Sequence, residues 1–358
     1  MKNLTDLIAE KQTNNNMLLI RLLAASVVIV GHSFPLAPNR CQECQDPAFI
    51  VGLPIPSHGL GVIVFFILSG FLITASAQRH SVLQFINSRV LRIMPALAVC
   101  VILLAFVLGP SISNLQLSEY FSNDRTYSYI TNAVSMARTI QVDLPGIKFY
   151  DGRYGEVVNG SLWTIPIEVR LYAIVLIVAV IAKIMRVKII IPLTVLIICT
   201  MLFDLSSVVP SEDDYRLSIY FAIGSIAFIA RRYIFMHWAV AVSLCLIFLF
   251  TKSSVANSLI FAVAISYAVL LFAYSKTIKL PGFLGDYSYG IYLYAFPIQQ
   301  TVCYLLPSVT PYKLMAISLP AAWVAGAISW HLIEKPALKF KSGLKLRDRY
   351  PSITNQAD

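Results

Sequence analysis

Residues 59–78, GLGVIVFFILSGFLITASAQ, decide the fold, because these 20 consecutive residues include no charged side chain. A helix that crosses the hydrocarbon core of a bilayer needs about 20 mostly apolar residues, so this run predicts a transmembrane helix. A membrane barrel would show short alternating segments instead of an unbroken run. The small residues Gly61, Ser69 and Gly70 favour the close approach of a neighbouring helix.

The whole chain has the same apolar character. Of its 358 residues, 58% are hydrophobic and 13% are charged, whereas soluble domains are near half apolar and a quarter charged. This composition excludes a soluble globular enzyme, a disordered protein and a disulfide scaffold. The net charge of +10 would suggest a nucleic-acid partner in a soluble chain. In a membrane protein the placement of the charges matters more than their sum, so we predict no nucleic-acid partner.

Ten apolar runs approach the length of a membrane span. They lie near residues 17–36, 59–78, 93–110, 161–182, 188–204, 215–231, 233–250, 255–275, 286–306 and 314–333. With a cytoplasmic N-terminus, 18 of the 28 Lys and Arg residues fall in inner segments and 8 in outer loops, in agreement with the positive-inside rule. We therefore predict an all-α, polytopic membrane helix bundle of about ten transmembrane helices with cytoplasmic termini. Residues 1–340 form the transmembrane domain, and residues 341–358 form a short basic cytoplasmic tail.

Two of the outer loops are long, near residues 37–58 and 111–160. The second loop is rich in Tyr, Asn and Asp, which suits contacts with sugars, and a solvated connector is the alternative. Cys41 and Cys44 lie in the first loop, where an oxidising compartment would permit a local disulfide. No second pair of ligands with zinc spacing follows them, so we predict no metal site.

Ionisable residues inside membrane spans are costly and therefore mark functional sites by default. Arg21 and His32 lie in the first predicted span, and Asp286 and Glu334 lie near the ends of the ninth and tenth. The eleven-residue spacing places Arg21 and His32 on one helix face, roughly 16 Å apart along the axis. The alternative is that Arg21 extends to lipid phosphates while His32 lies at the interface.

Two further groups of charged residues accompany these. Arg89 and Arg92, just before the third predicted span, have the i, i+3 spacing that places both guanidiniums on one side of a helix. Such a pair can bind phosphate through bidentate bonds, and a positive-inside anchor is the alternative. Glu168 lies about 10 Å below the outer end of the fourth predicted span. It would orient His32, pair with Arg170 or remain protonated.

Six segments match, in order, the motifs of one family. They are Arg21 through His32, residues 61–73 (GVIVFFILSGFLI), Phe85 through Pro95, residues 161–168 (SLWTIPIE), residues 285–293 (GDYSYGIYL) and residues 333–336 (IEKP). Together they resemble the acyltransferase-3 family of bacterial integral-membrane O-acyltransferases. Many members carry a His shortly after the Tyr-Leu of the ninth span, where this chain has Ala295. This departure favours His32 as the catalytic base.

The resemblance implies a reaction and its reactants. An acyl group, usually acetyl from acetyl-CoA, would be transferred to a hydroxyl of an extracytoplasmic polysaccharide or lipid-linked sugar. The expected location is the bacterial inner membrane, with acetyl-CoA as a substrate and no tightly bound cofactor. Arg21, Arg89 and Arg92 would bind the coenzyme A phosphates on the cytoplasmic side.

The resemblance also implies roles on the outer side. His32 would deprotonate the sugar hydroxyl, or accept the acetyl group itself, while Glu168 would hold the His32 ring. We predict that Trp163, at the outer rim of the fourth span, and Tyr292, in the ninth, bind substrate. An aromatic-belt role is the alternative for Trp163.

Two other functions compete with this one. A transporter or flippase of a sugar or lipid-linked intermediate would also suit ten spans with buried charges. Transporters often contain inverted repeats, and the sequence contains no convincing repeat. The third hypothesis is a sensor that binds an acyl ligand without turnover.

Overall fold

The computed structural model describes residues 2–11, 15–37, 44–137, 140–189, 212–251 and 254–340. The α-helices are α1 (Leu4–Glu10), α2 (Met17–Leu36), α3 (Pro47–Ile50), α4 (Ser57–Arg79), α5 (Val82–Leu103), α6 (Gly109–Ile112), α7 (Leu117–Ser122), α8 (Asp124–Val134), α9 (Thr164–Ile184), α10 (Glu212–Ile229), α11 (Trp238–Phe250), α12 (Ser254–Ala273), α13 (Ser288–Leu305), α14 (Pro311–Ser329) and α15 (Lys335–Lys339). A 3₁₀ turn (Gly160–Trp163) precedes α9, and π-helical turns (Leu104–Leu108, Trp330–Glu334) connect α5 to α6 and α14 to α15. In these ranges the only β-feature is an isolated bridge between Asn3 and Phe235.

Six helical segments in the described part of the chain are long and apolar enough to cross a membrane. They are Met17–Leu36, Ser57–Arg79, Val82–Ile112, Gly160–Ile184, Ala256–Ala273 and Pro311–Lys339. The predicted all-α, polytopic membrane bundle is therefore confirmed. The count of ten spans, the cytoplasmic termini and the domain boundary at residue 340 stay predictions. The described residues leave out nearly all of the predicted span 188–204 and the tail 341–358. They also leave out Cys41, so the question of a Cys41–Cys44 disulfide stays open.

The helix of the third span begins well before the predicted residue 93. The reason is a capping box, in which the Ser81 and Gln84 side chains each accept a hydrogen bond from the other residue's backbone N–H. The helix α5 therefore starts at Val82, and Arg89 and Arg92 lie within it rather than just before the span. Both side chains are partly buried along this helix.

The helix α4 is the centre of the bundle and packs against α2, α5, α9, α10 and α12. Gly70 allows α10 to come close, because a Cβ at this position would collide with the backbone of Phe221. Gly224 of α10 lies in the same way against the carbonyl of Ile67. Gly61 lies equally close to the α2 backbone. The prediction that Gly61 and Gly70 serve close helix packing is confirmed.

The helix α2 connects α4 with a second group of helices, α13 and α14. A polar contact helps to hold α14 there, since the Trp323 indole N–H donates to the Ser26 hydroxyl at 3.0 Å. Because α2 is packed on both sides, the two ionisable residues that it carries, Arg21 and His32, lie inside the bundle.

Candidate active site

Four charged side chains meet at the Arg21 end of α2. Asp286, just before α13, accepts hydrogen bonds from Arg21 at 2.6 Å and from Arg92 at 2.8 Å. The other terminal nitrogen of Arg92 lies 3.5 Å from a carboxylate oxygen of Glu334, which is 1% exposed. Two guanidiniums therefore share two carboxylates and connect α2, α5, α13 and the turn that follows α14.

Asp286 accepts a further hydrogen bond from the Ser288 hydroxyl at 2.6 Å. Arg92 is fixed further by two aromatic rings, since its guanidinium carbon lies 5.8 Å from the centroid of Trp330 and 6.0 Å from that of Tyr289. Both arginines that contact Asp286 are thus committed to structural partners.

Arg89 differs from these two arginines. Its Nε donates to the Ser88 hydroxyl at 3.1 Å. Among the residues that the structure describes, it forms no ion pair with a carboxylate, whereas Arg21 and Arg92 form three. Of the three arginines predicted to bind the donor, Arg89 therefore keeps its guanidinium available for an anionic ligand.

A cavity of about 330 Å³ opens beside this cluster of charged residues. The predicted site residues that line it are Arg21, Arg89, Arg92, Glu168 and Tyr292. Aromatic side chains of α4, α9 and α13 complete the wall, and Ser69 and Thr164 add hydroxyl groups. His32 and Trp163 are not among the lining residues. The cavity thus joins the cationic residues to Glu168, while His32 lies elsewhere.

Glu168 does not hold the ring of His32. Its carboxylate accepts hydrogen bonds from the Ser69 hydroxyl at 2.7 Å and from the Tyr172 hydroxyl, one helical turn further along α9. It does not pair with Arg170 either, since that side chain is directed to Asp214, at 3.8 Å. The expected contact between Glu168 and His32 is missing because Glu168 faces the cavity.

Tyr292 lines the cavity together with Thr164. Its buried hydroxyl forms a hydrogen bond of 2.7 Å with the Thr164 hydroxyl, and its ring contacts the edge of Phe65. Trp163, which ends the 3₁₀ turn before α9, is exposed. The structure therefore separates the two residues predicted to bind substrate, one in the cavity and one at the rim.

His32 is not part of the cavity lining. Its ring stacks on His58 with centroids 4.7 Å apart, and the ring of Phe296 packs against it edge-on at 5.3 Å. Phe296 follows Tyr292 by one turn of α13, which corresponds to about 6 Å along the axis. His32 therefore contacts α13 one helical turn beyond a residue that lines the cavity.

The comparisons with known proteins agree with this architecture. A family model described as "Acyltransferase domain" matches residues 14–330. The chain belongs to the acyltransferase-3 family. An "O-acetyl transferase" of Shigella phage Sf6 is 29% identical to this acyltransferase, over 88% of the chain and 93% of the relative. "Nodulation protein 10" of Rhizobium leguminosarum bv. viciae is 28% identical, over 93% and 95%. No solved structure matches.

Family membership and apolar helices together identify a multi-pass membrane acyltransferase. The sequence reasoning missed three parts of its site: the carboxylate partners of Arg21 and Arg92, the hydroxyl partners of Glu168, and His58. The Glu168–Tyr172 contact has an i, i+4 spacing that was visible in the sequence. His58 carried a weaker signal, as a titratable residue directly before the second predicted span.

Proposed function

We propose that this acyltransferase moves an acetyl group from cytoplasmic acetyl-CoA to a hydroxyl of an extracytoplasmic polysaccharide or lipid-linked sugar. The observation that carries the proposal is a cavity lined by the uncommitted Arg89 and by Tyr292, with His32 packed against Phe296 one turn of α13 after Tyr292. Coenzyme A has the matching form, a polyanion attached to a long thin arm. The relative named "O-acetyl transferase" supports acetyl as the acyl group. With a cytoplasmic donor and an external acceptor, the proposed location is the bacterial inner membrane.

The donor would enter at the arginines. Arg89 would bind a phosphate through its planar guanidinium, which suits bidentate recognition. Arg21 and Arg92, which are already paired with carboxylates, would shape the entrance and add to its positive field rather than release their partners. The pantetheine arm would then lie against the aromatic wall, close to the Ser69 hydroxyl and the Glu168 carboxylate.

The thioester would have to pass the Tyr292–Thr164 contact to reach His32. The buried Tyr292 would touch the donor arm at this point, whereas Trp163 at the rim would contact the sugar. Glu168 would act on the donor side, where its hydrogen bonds orient the hydroxyls of Ser69 and Tyr172. Both residues line the cavity.

The chemical step needs a base that takes the proton of the sugar hydroxyl and an acid that protonates the departing thiolate. A ring nitrogen of His32 would take the proton of the sugar hydroxyl while the sugar oxygen attacks the thioester carbonyl carbon. The carbon–sulfur bond then breaks, and the proton passes from the imidazolium to the departing thiolate. In the covalent alternative, His32 attacks the thioester carbonyl and coenzyme A leaves as the thiol with the imidazole proton. The sugar oxygen then takes the acetyl group from His32 as the sugar proton returns to the ring, which would give ping-pong kinetics.

The test is mass spectrometry of surface glycans from a strain with and without the gene. We expect the deletion strain to lose one base-labile acetyl mass per modified sugar, and the wild-type gene to restore it. An unchanged acetyl pattern in the deletion strain would refute the proposal. Loss of the whole glycan, rather than of its acetyl groups, would favour the transporter or flippase function instead.

A further inference from the structure

His58, whose imidazole lies beside His32, has no role in the reaction described above. We propose that His58 is a positioning residue, whose ring stacks on His32 and fixes the direction in which that imidazole meets the acceptor hydroxyl. The inference deepens the proposed function and rests on it, because it takes His32 as the base of an acetyl transfer.

The geometry of the rings supports this role. The planes of His32 and His58 are inclined by only 27°, whereas Phe296 meets His32 at 84°. One face of His32 is therefore covered by an imidazole, while an aromatic ring packs against it edge-on. With both contacts in place, His32 cannot rotate without displacing a neighbouring ring.

The hydrogen bonding of His32 and His58 supports the same role. A catalytic histidine is commonly oriented by a carboxylate or carbonyl that accepts a hydrogen bond from one ring nitrogen. Here the Nδ1 atoms of both His32 and His58 are buried and have no hydrogen-bond partner among the described residues. Ring contacts thus take the place of the carboxylate that Glu168 was expected to supply.

The contact between the backbones of α2 and α4 positions the two stacked histidine rings. At Gly31 a Cβ would collide with the backbone of Ser57 and His58, so α2 and the first turn of α4 touch where the two histidines lie. That first turn is held by Asp46, whose carboxylate accepts hydrogen bonds from the Ser57 backbone at 3.0 Å and from the Ser57 hydroxyl at 2.5 Å. The position of His58 is therefore set before any substrate arrives.

The test compares three substitutions, His58→Ala, His58→Phe and His58→Gln, with the wild-type protein. Each full-length variant is expressed in the deletion strain of the native host, and everted membrane vesicles are supplied with radiolabelled acetyl-CoA. Base-labile label in the glycan fraction gives kcat and KM for acetyl-CoA. His80→Ala is the matched control, because His80 is an exposed histidine at the opposite end of α4.

We expect His58→Ala to lower kcat by about 10- to 100-fold with little change in KM, since misplacing a catalytic group costs rate rather than donor binding. His58→Phe should restore most of kcat because it keeps a flat ring, whereas His58→Gln should not. The amount of folded protein in the membrane is measured for each variant. The control His80→Ala should match the wild-type protein.

Three results would overturn the inference. The first is a wild-type kcat in His58→Ala. The second is a folded His58→Phe variant that is as slow as His58→Ala, which would assign the role to a ring nitrogen. The third is a raised KM with an unchanged kcat, which would assign His58 to donor binding. A wild-type protein that transfers no acetate at all would refute the proposed function instead.

Discussion

Arg89 and Arg92 have the same charge and lie three residues apart on α5, yet the structure predicts opposite consequences for their removal. Arg89 has no carboxylate partner among the described residues, whereas Arg92 contacts Asp286 and Glu334. Arg89→Ala should therefore weaken donor binding and leave the fold intact. Arg92→Ala should destabilise the fold.

The magnitudes follow from what each guanidinium touches. A hydrogen bond to a charged group contributes about 1.5–3 kcal/mol, and about 1.4 kcal/mol corresponds to a factor of ten in affinity. Arg89→Ala should therefore raise the Kd for acetyl-CoA by about 10- to 100-fold. Arg92→Ala leaves Glu334, 1% exposed, without its cation, which should cost about 3–5 kcal/mol of unfolding free energy.

Two measurements on the purified full-length protein separate these outcomes. Titration calorimetry with acetyl-CoA gives Kd, and unfolding in denaturant gives the free energy of unfolding. Arg89→Lys provides a matched variant that keeps the charge but loses the planar fork, and we expect a Kd between those of wild type and Arg89→Ala. A wild-type Kd in Arg89→Ala, or a wild-type stability in Arg92→Ala, would refute the division of roles between the two arginines.

Three further predictions follow from the same contacts. His32→Ala should abolish acetate transfer while the protein still inserts in the membrane, as measured by glycan acetylation and membrane fractionation; retained transfer would remove the proposed base. Asp286→Asn should cost about 3–5 kcal/mol of unfolding free energy because two guanidiniums lose their shared carboxylate. Unfolding in denaturant measures this cost, and a wild-type stability in Asp286→Asn would contradict it. Gly70→Ala should lower the unfolding free energy by about 1–3 kcal/mol by separating α4 from α10; the control Gly59→Ala has room for its Cβ and should not.

The sequence was sufficient for the fold class. Unbroken apolar runs predicted the helices, because the bilayer imposes a length and excludes charges. The shared helix face of Arg21 and His32, inferred from their eleven-residue spacing, stays a prediction. The start of α5 was missed because the capping box at Ser81 extends the helix beyond the apolar run that marks the membrane.

The partners of the site residues depended on contacts between distant segments. Asp286 meets Arg21 although 265 residues separate them, and no periodicity within one helix contains that information. Glu168 was predicted to hold the ring of His32, but the face of α9 that carries Glu168 is directed to Ser69 and the cavity. His58 became visible only when the α2–α4 contact at Gly31 was known.

The central claim is that a donor bound at Arg89 extends through the cavity toward His32. The most direct test is an experimental structure of the protein with coenzyme A bound. The account predicts phosphate oxygens within hydrogen-bond distance of the Arg89 guanidinium and a pantetheine sulfur that has passed the Tyr292 hydroxyl toward His32. A nucleotide bound on the His32 side, or a cavity that stays empty while coenzyme A occupies another surface, would contradict it.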